Sequence, residues 1–152
     1  MKKLMISLAL LAFLVACSNG EQVIEIEGKD RASALFIQKV ENHSTSDESS
    51  LKVNDRQLIE KVLTKVEGLT VKETTTEKTM EKMKSSITYM FVFSESEEFQ
   101  TGKPLPYAFY ILEDGTFIFP YSDFNSKQNP LITTDNDQEL LDEMKDLVEI
   151  EF

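Results

Sequence analysis

The first apolar positions of the chain form one short continuous run. Lys2 and Lys3 precede the segment Leu4 to Val15, which only Ser7 interrupts. A positive segment followed by a short apolar one is typical of a secretory signal peptide. The run is too short to span a bilayer comfortably, because a transmembrane helix needs roughly 20 apolar residues. The pattern therefore predicts export of the chain.

Further along, two segments carry apolar residues at helical spacing on a single face. Asn54 with Gln57, and Asn136 with Glu139, have the form of a capping box at the start of each segment, and Gly68 is placed to end the first. The apolar positions are Leu58, Ile59, Val62, Leu63 and Val66 in the first segment and Leu140, Leu141, Met144, Leu147 and Val148 in the second. We predict helices near 55–67 and 137–149. Their common pattern fits either an internal duplication or convergence of capped amphipathic helices.

Other segments have the alternation and residue types of strands. Residues 34–40 and 50–54 flank the polar stretch 41–50, which suggests a strand pair, and residues 87–95 are rich in β-branched and aromatic side chains. Residues 107–121 read as a hairpin around Asp114-Gly115, a dipeptide that favours a two-residue type I′ turn.

Such a two-residue turn pairs Leu112 with Phe117 and Ile111 with Ile118. It would place Tyr110, Leu112, Phe117 and Phe119 on one face of the hairpin and Phe109, Ile111 and Ile118 on the other.

Together these elements predict an α+β domain: an antiparallel sheet of four to five strands with two amphipathic helices packed on one face. The polar segment 72–86 fits one or two helical turns at Thr79 to Lys84, with Met80 and Met83 facing inward. We expect a signal peptide at 1–16, a lipidated N-terminus and flexible tether at 17–33, with at most a short strand at 23–26, and a single domain at 34–152.

Cys17 is the only cysteine in the sequence, and it follows the signal pattern directly. Leu14-Val15-Ala16-Cys17 matches the lipobox of bacterial lipoproteins, in which cleavage after the small residue leaves a cysteine that carries a diacylglyceryl thioether. We therefore expect cleavage between Ala16 and Cys17, lipidation of Cys17 and attachment to the cell membrane through that lipid. The alternatives are an ordinary signal peptide with a chance cysteine and an uncleaved anchor. A single cysteine also excludes an intramolecular disulfide.

The charge of the chain limits its partners. With 27 acidic against 16 basic residues, the formal net charge is −11. A strongly acidic surface repels phosphate backbones, so we expect no nucleic-acid partner. Charge also disfavours attachment to anionic lipid, which leaves the lipid as the expected anchor. The acidic surface is either simply solvated or a binding surface for basic peptides or cations.

Groups for catalysis are scarce. His43, the only histidine, lies in a Ser- and Asp-rich loop, and no Ser-His-Asp or Cys-His arrangement is credible once Cys17 is lipidated. A zinc site would need several His or Cys ligands. We expect no catalytic residue, no cofactor and no metal.

Two oxygen-rich segments deserve comparison with calcium loops. Asp123 and Asn125 begin one of them, but Lys127 occupies the next ligand position. The other contains Asp135, Asp137 and Glu139, which helix capping explains better.

The aromatic residues concentrate around the predicted hairpin. They fit a sheet core, but the ends of the hairpin, with their Pro and Tyr residues, could also form an exposed partner surface. The candidate partner surface comprises Tyr107, Phe109, Tyr121 and Phe124.

The order of a lipobox, a polar segment, a strand pair ending in Val53-Asn54-Asp55 before a capped helix, aromatic strands and a terminal helix resembles small uncharacterised lipoproteins of Bacillus-type bacteria (YhfM-like). The resemblance covers roughly residues 1–20 and 34–152. It implies a Gram-positive membrane surface and supplies no catalytic residues.

From the sequence we expect a lipid-anchored extracytoplasmic module without catalytic activity that binds a protein or peptide partner at the cell surface. The alternative is a small cell-envelope hydrolase, or an inhibitor of a secreted or cell-wall enzyme. A flat exposed apolar face on the hairpin favours the binding module, and a cleft with two carboxylates of opposed pKa shifts favours the enzyme.

Overall fold

The computed structural model describes residues 20–98, 102–103, 105–120 and 129–152. These residues form one antiparallel sheet of eight strands in the order β1-β4-β8-β7-β6-β5-β2-β3. The strands are β1 (Glu21–Val23), β2 (Ala34–Val40), β3 (Ser50–Val53), β4 (Thr70–Glu73), β5 (Thr88–Ser94), β6 (Tyr107–Leu112), β7 (Phe117–Phe119) and β8 (Leu131–Thr133). The helices are α1 (Arg56–Val66), α2 (Thr76–Lys84) and α3 (Gln138–Leu147), and 3-10 turns occupy Lys29–Arg31 and Asp47–Ser49.

The α+β class and the single antiparallel sheet are confirmed, but the expected number of elements is wrong. The described residues contain eight strands and three helices instead of four to five strands and two helices. The additional strands β1, β4 and β8 are three or four residues long, too short for a clear alternation of apolar and polar residues.

Helices α1 and α3 cover one face of the sheet, which we call the front face. Alternate residues of β2, β5, β6 and β7 meet the apolar faces of both helices in one continuous core. The fully buried large side chains of this core are Leu35, Ile37, Ile59, Leu63, Phe91, Phe93, Phe109, Ile111, Phe117 and Leu141. Most of the apolar burial of the domain therefore lies on this face.

Helix α2 lies on the opposite face, which we call the back face. Met83 packs there against Leu112, Ile118 and Ile132, and the strand residues of this cluster alternate with those of the front core. Met80 is 52% exposed, so of the two methionines expected to face inward only Met83 does so. The two predicted helices, α1 and α3, do share the front face, and α2 is an additional helix on the other face.

The β6–β7 hairpin differs from its expected register by one residue. Tyr110 pairs with Ile118 and Ile111 pairs with Phe117, because the loop has three residues instead of two. The Leu112 N–H donates to the Thr116 carbonyl at 2.9 Å and closes this longer loop. A slip of one residue exchanges the faces. As a result Phe117 lies on the front face with Ile111, and Ile118 lies on the back face.

Gly115 allows the longer loop and its contact with α3. Its φ is +82°, in the left-handed region that favours glycine, and a Cβ at this position would lie 2.4 Å from the backbone of Asp137 and Gln138. The Gly115 carbonyl accepts a hydrogen bond of 2.9 Å from the Asp137 N–H. The hairpin tip is thereby fixed against the start of α3.

Both predicted long helices are confirmed, with N-caps one residue later than expected. The Asp55 carboxylate accepts hydrogen bonds from the N–H groups of Gln57 and Leu58, and the Asp137 carboxylate accepts one from Leu140. Aspartate satisfies the free N–H groups of a first turn as well as asparagine does.

The described part of the expected tether is bound to the domain. Strand β1 pairs with β4 along Glu21–Val23, and the Ser33 N–H donates to the Ser94 carbonyl at 2.7 Å. Ala32 is 2% exposed and belongs to the front core. Residues 20–33 therefore form part of the fold and not a free tether.

Candidate functional site

Of the four residues of the candidate partner surface, the structure describes Tyr107 and Phe109. Phe109 is 1% exposed and its ring stacks on that of Phe91 with centroids 5.1 Å apart, so Phe109 belongs to the front core. Tyr121 and Phe124 lie outside the described residues. The expectation that Phe109 lies on an exposed surface is therefore wrong. The hairpin register places its side chain under the helices, where it packs in the core.

Tyr107, the fourth member of that surface, holds the segment before β2 in place. Its hydroxyl donates a hydrogen bond to the Gly28 carbonyl at 2.8 Å and contacts the Glu27 carbonyl. Burial raises the pKa of the Tyr107 phenol above its usual value of about 10. The half-buried Tyr107 is therefore a structural clamp on the chain between β1 and β2.

The other residues singled out in the sequence have simple positions. Ala16, Cys17, Asp123 and Asn125 lie outside the described residues. Asp137 caps α3 in place of the expected Asn136, and the nearby acids Asp135 and Glu139 are exposed. Within residues 20–98, 102–103, 105–120 and 129–152, no group of three or more His, Cys, Asp or Glu residues is arranged to hold a metal ion.

His43 lies at the tip of the loop between β2 and β3. The side chain is exposed, and its backbone has a φ of +61° in the tight turn that Glu41 and Ser44 close. The described structure gives His43 no carboxylate or hydroxyl partner.

The back face carries a second group of apolar residues, which lies on β2, β5 and β6. On β2, β5 and β6 the residues Phe36, Val92 and Ala108 are cross-strand neighbours, and so are Met90 and Tyr110. We call these five residues the open surface. They are half-buried, and Tyr110 also packs against the cluster of Leu112, Ile118 and Ile132.

Polar groups border the open surface on the side of β3. Lys52 places its Nζ 5.6 Å from the centroid of the Phe36 ring, and the Gln38 amide donates to the Ser50 hydroxyl at 3.3 Å. An apolar centre with a polar edge is the arrangement of protein-binding surfaces. Sequence reasoning missed it because it located the exposed aromatic residues at the hairpin ends instead of across three strands.

A second feature of the back face is a cleft between α2 and the strand pair β4–β8. Its volume is about 540 Å³, and its lining includes three lysines, Lys72, Lys78 and Lys82. The sequence indicates only one part of this cleft: Lys78 and Lys82 are four residues apart in a helical segment and therefore share a face.

Comparisons with protein-family models, with curated proteins and with solved structures give no match for this chain. The resemblance to YhfM-like lipoproteins therefore stays a prediction. Among the described residues, no helix has both the length and the apolar character needed to cross a membrane.

Proposed function

We propose that the protein is a lipid-anchored extracytoplasmic module without catalytic activity, which binds a protein or peptide partner through the open surface. The observation that supports the binding role is the row of half-buried apolar side chains across β2, β5 and β6. Contiguous apolar side chains that a domain leaves accessible commonly mark an interaction site. The resemblance favours a Gram-positive membrane as its location.

The shape of the open surface supports a protein or peptide partner over a small molecule. Phe36, Val92 and Ala108 lie side by side on three neighbouring strands, so the surface is broad and has no enclosing wall among the described elements. Small-molecule sites are concave and bury most of their ligand. A partner with its own apolar patch would complete the cover that α2 provides for only one end of the face.

The anchor is supported by the sequence. The segment Leu14 to Cys17 fits lipidation, and a diacylglyceryl group provides two acyl chains, which is what stable attachment requires. The net charge of −11 gives the chain no electrostatic attraction to anionic lipid.

The anchor is tested by mass spectrometry of the mature protein from membranes of a lipoprotein-producing bacterium. We expect an N-terminal peptide that begins with diacylglyceryl-modified Cys17, and a Cys17→Ala protein that leaves the membrane fraction. A mature N-terminus elsewhere, or a wild-type protein that is not membrane-bound, would contradict the anchor.

The binding role is tested by crosslinking in cells and identification of what co-purifies. The test variant is Met90→Lys, which puts a charge in the open surface. The matched control is Met80→Lys, which puts the same charge on the outer side of α2, where Met80 is 52% exposed. Both variants must first show the circular dichroism spectrum and unfolding midpoint of the wild type.

We expect one defined partner that the wild type and Met80→Lys capture and Met90→Lys does not. Equal capture by both variants would exclude the open surface as the binding site. Absence of any partner would contradict the binding role and favour a small cell-envelope hydrolase, whereas capture of a secreted or cell-wall enzyme would favour the other alternative, an inhibitor.

A further inference from the structure

We propose that the cleft between α2 and the β4–β8 pair is a binding site for an organic ligand that carries a phosphate group. The cleft lies at the other end of the back face from the open surface. The inference rests neither on lipid anchoring nor on a protein partner.

The charges of the cleft are opposite to those of the protein as a whole. Lys72, Lys78 and Lys82 line it, and Glu73 is the one carboxylate among its lining residues. In a chain with a net charge of −11, this is a local excess of positive charge. Low-dielectric walls around like charges focus their field and attract an ion of the opposite sign.

The three lysines have no anionic partner inside the described structure. The ion pairs there join Lys29 to Glu67, Arg31 to Glu95, Lys39 to Glu41 and Lys65 to Glu143. Glu21 is the cross-strand neighbour of Lys72 but forms no ion pair with it. The ammonium groups of the cleft are therefore available to a ligand.

The carboxylate of the cleft already has a neutral partner. Glu73 accepts a hydrogen bond of 3.3 Å from the side-chain amide of Asn129. Among the described lining residues, three lysines and one glutamate give an excess of two positive charges. This excess matches the charge of a phosphate monoester, which is close to −2 at neutral pH.

Neutral donors surround the lysines. The Thr75 hydroxyl accepts a hydrogen bond from the Lys78 N–H and keeps its proton for a ligand, whereas the Thr134 hydroxyl already donates to the Asp135 carboxylate at 3.3 Å. Asn136 contributes an amide. The Asn136 side-chain oxygen accepts a hydrogen bond of 3.1 Å from the Thr116 hydroxyl, which leaves its NH₂ group without a partner in the described part of the chain. Such groups suit the ester oxygens and hydroxyls of an organic phosphate.

The size of the cleft favours an organic ligand over a bare ion. A volume of about 540 Å³ falls within the range of roughly 300–1,000 Å³ that is usual for small-molecule sites. The start of α2 adds to the attraction of an anion, because Thr74 and Thr75 line the cleft where the helix dipole is positive.

The test uses the full chain in a non-ionic detergent and glycerol 3-phosphate as the probe. Backbone amide signals are followed by NMR at constant ionic strength, with sodium chloride as the reference titration. We expect saturable shifts that cluster at Lys72, Thr75, Lys78 and Thr134. Shifts that do not saturate, or that chloride reproduces, would overturn the proposal.

Variants locate the site. Lys78→Gln with Lys82→Gln removes two exposed ammonium groups and should weaken binding about tenfold or more, since each charged hydrogen bond contributes substantially. Lys61→Gln is the matched control, because Lys61 is an exposed lysine on α1 outside the cleft, and it should change the affinity by less than about twofold. Equal affinities of the double variant and the wild type would contradict the site.

Two further titrations identify the source of the phosphate. Vesicles of phosphatidylglycerol that bind the wild type but not the double variant would indicate a lipid headgroup, whereas binding of glycerol 3-phosphate alone would indicate a soluble ester. Citrate is the carboxylate comparison. Citrate binding as tight as that of glycerol 3-phosphate would overturn the assignment to phosphate.

Discussion

The two faces of the sheet are covered in different ways. On the front face, α1 and α3 bury a continuous layer that includes Phe91, Phe109 and Phe117, each with 1% or less of its surface exposed. On the back face, α2 buries only the small cluster around Leu112 and Ile118 and leaves the open surface half-buried. The front face thus contains most of the packed core, and both proposed binding surfaces lie on the back face.

The largest expected difference in the free energy of unfolding is between alanine substitutions of one phenylalanine on each face. Phe91→Ala should lower the free energy of unfolding by about 3–5 kcal/mol, because it leaves a cavity in a packed core. Phe36→Ala removes the same side chain from the half-buried open surface and should cost about 1 kcal/mol, mainly through lost partial burial. Urea unfolding of both variants measures the difference. Similar losses would mean that the back face is as tightly packed as the front.

The next effect concerns the loop that fixes which residues face front. Gly115→Ala should cost about 2–3 kcal/mol, since it combines a left-handed φ with a collision against the backbone of α3. Gly68→Ala is the control. Its φ of +84° is nearly the same but nothing lies within 4 Å of the added Cβ, so backbone strain alone should cost it about 1 kcal/mol. Equal costs, measured by thermal unfolding, would argue against the contact between the hairpin tip and α3.

A smaller, stabilising effect is expected from a substitution at Thr88 on the back face. Thr88 is 0% exposed, and its hydroxyl has no hydrogen-bond partner in the described structure. Thr88→Val keeps the shape and removes the unsatisfied group, so it should raise the free energy of unfolding by about 1 kcal/mol. Thr88→Ser, which keeps the hydroxyl and loses a methyl group, should be destabilising instead. A loss of stability in the valine variant would show that the hydroxyl does have a partner.

The smallest effect tests the extent of the cover by α2. Met83→Ala should cost about 1 kcal/mol because Met83 is half-buried against the back cluster. Met80→Ala should change stability by less than about 0.5 kcal/mol, since Met80 lies on the outer side of the same helix. Differential scanning calorimetry compares the stabilities of the two variants. A larger loss of stability for Met80→Ala would mean that Met80, and not Met83, faces the sheet.

The sequence predicted the elements that have a long and regular pattern. Helices α1 and α3 follow from a full apolar stripe over three turns, and β2 and β5 from seven-residue runs. The edge of the sheet was not predictable, because β1 and β4 have only three and four residues and, between them, one buried side chain, Val71. Local pattern carries little information about such short strands.

The hairpin and the cleft show two further limits of sequence reasoning. Asp114-Gly115 is compatible with a loop of either two or three residues, and the three-residue form is selected by the contact of Gly115 with α3, which is distant in sequence. The cleft depends on the approach of Lys72 in β4 to Lys78 and Lys82 in α2, and only the spacing within α2 can be seen beforehand.

With the proposed lipid on Cys17, the pairing of β1 with β4 would limit the distance between the domain and a bilayer. From Cys17 to the first residue of β1, Glu21, the backbone extends by four residues, which span at most about 14 Å. A lipid on Cys17 would therefore hold the β1–β4 edge within about 14 Å of the membrane surface. Since Lys72 and Glu73 belong to that edge, the proposed phosphate site would open close to the plane of the lipid headgroups.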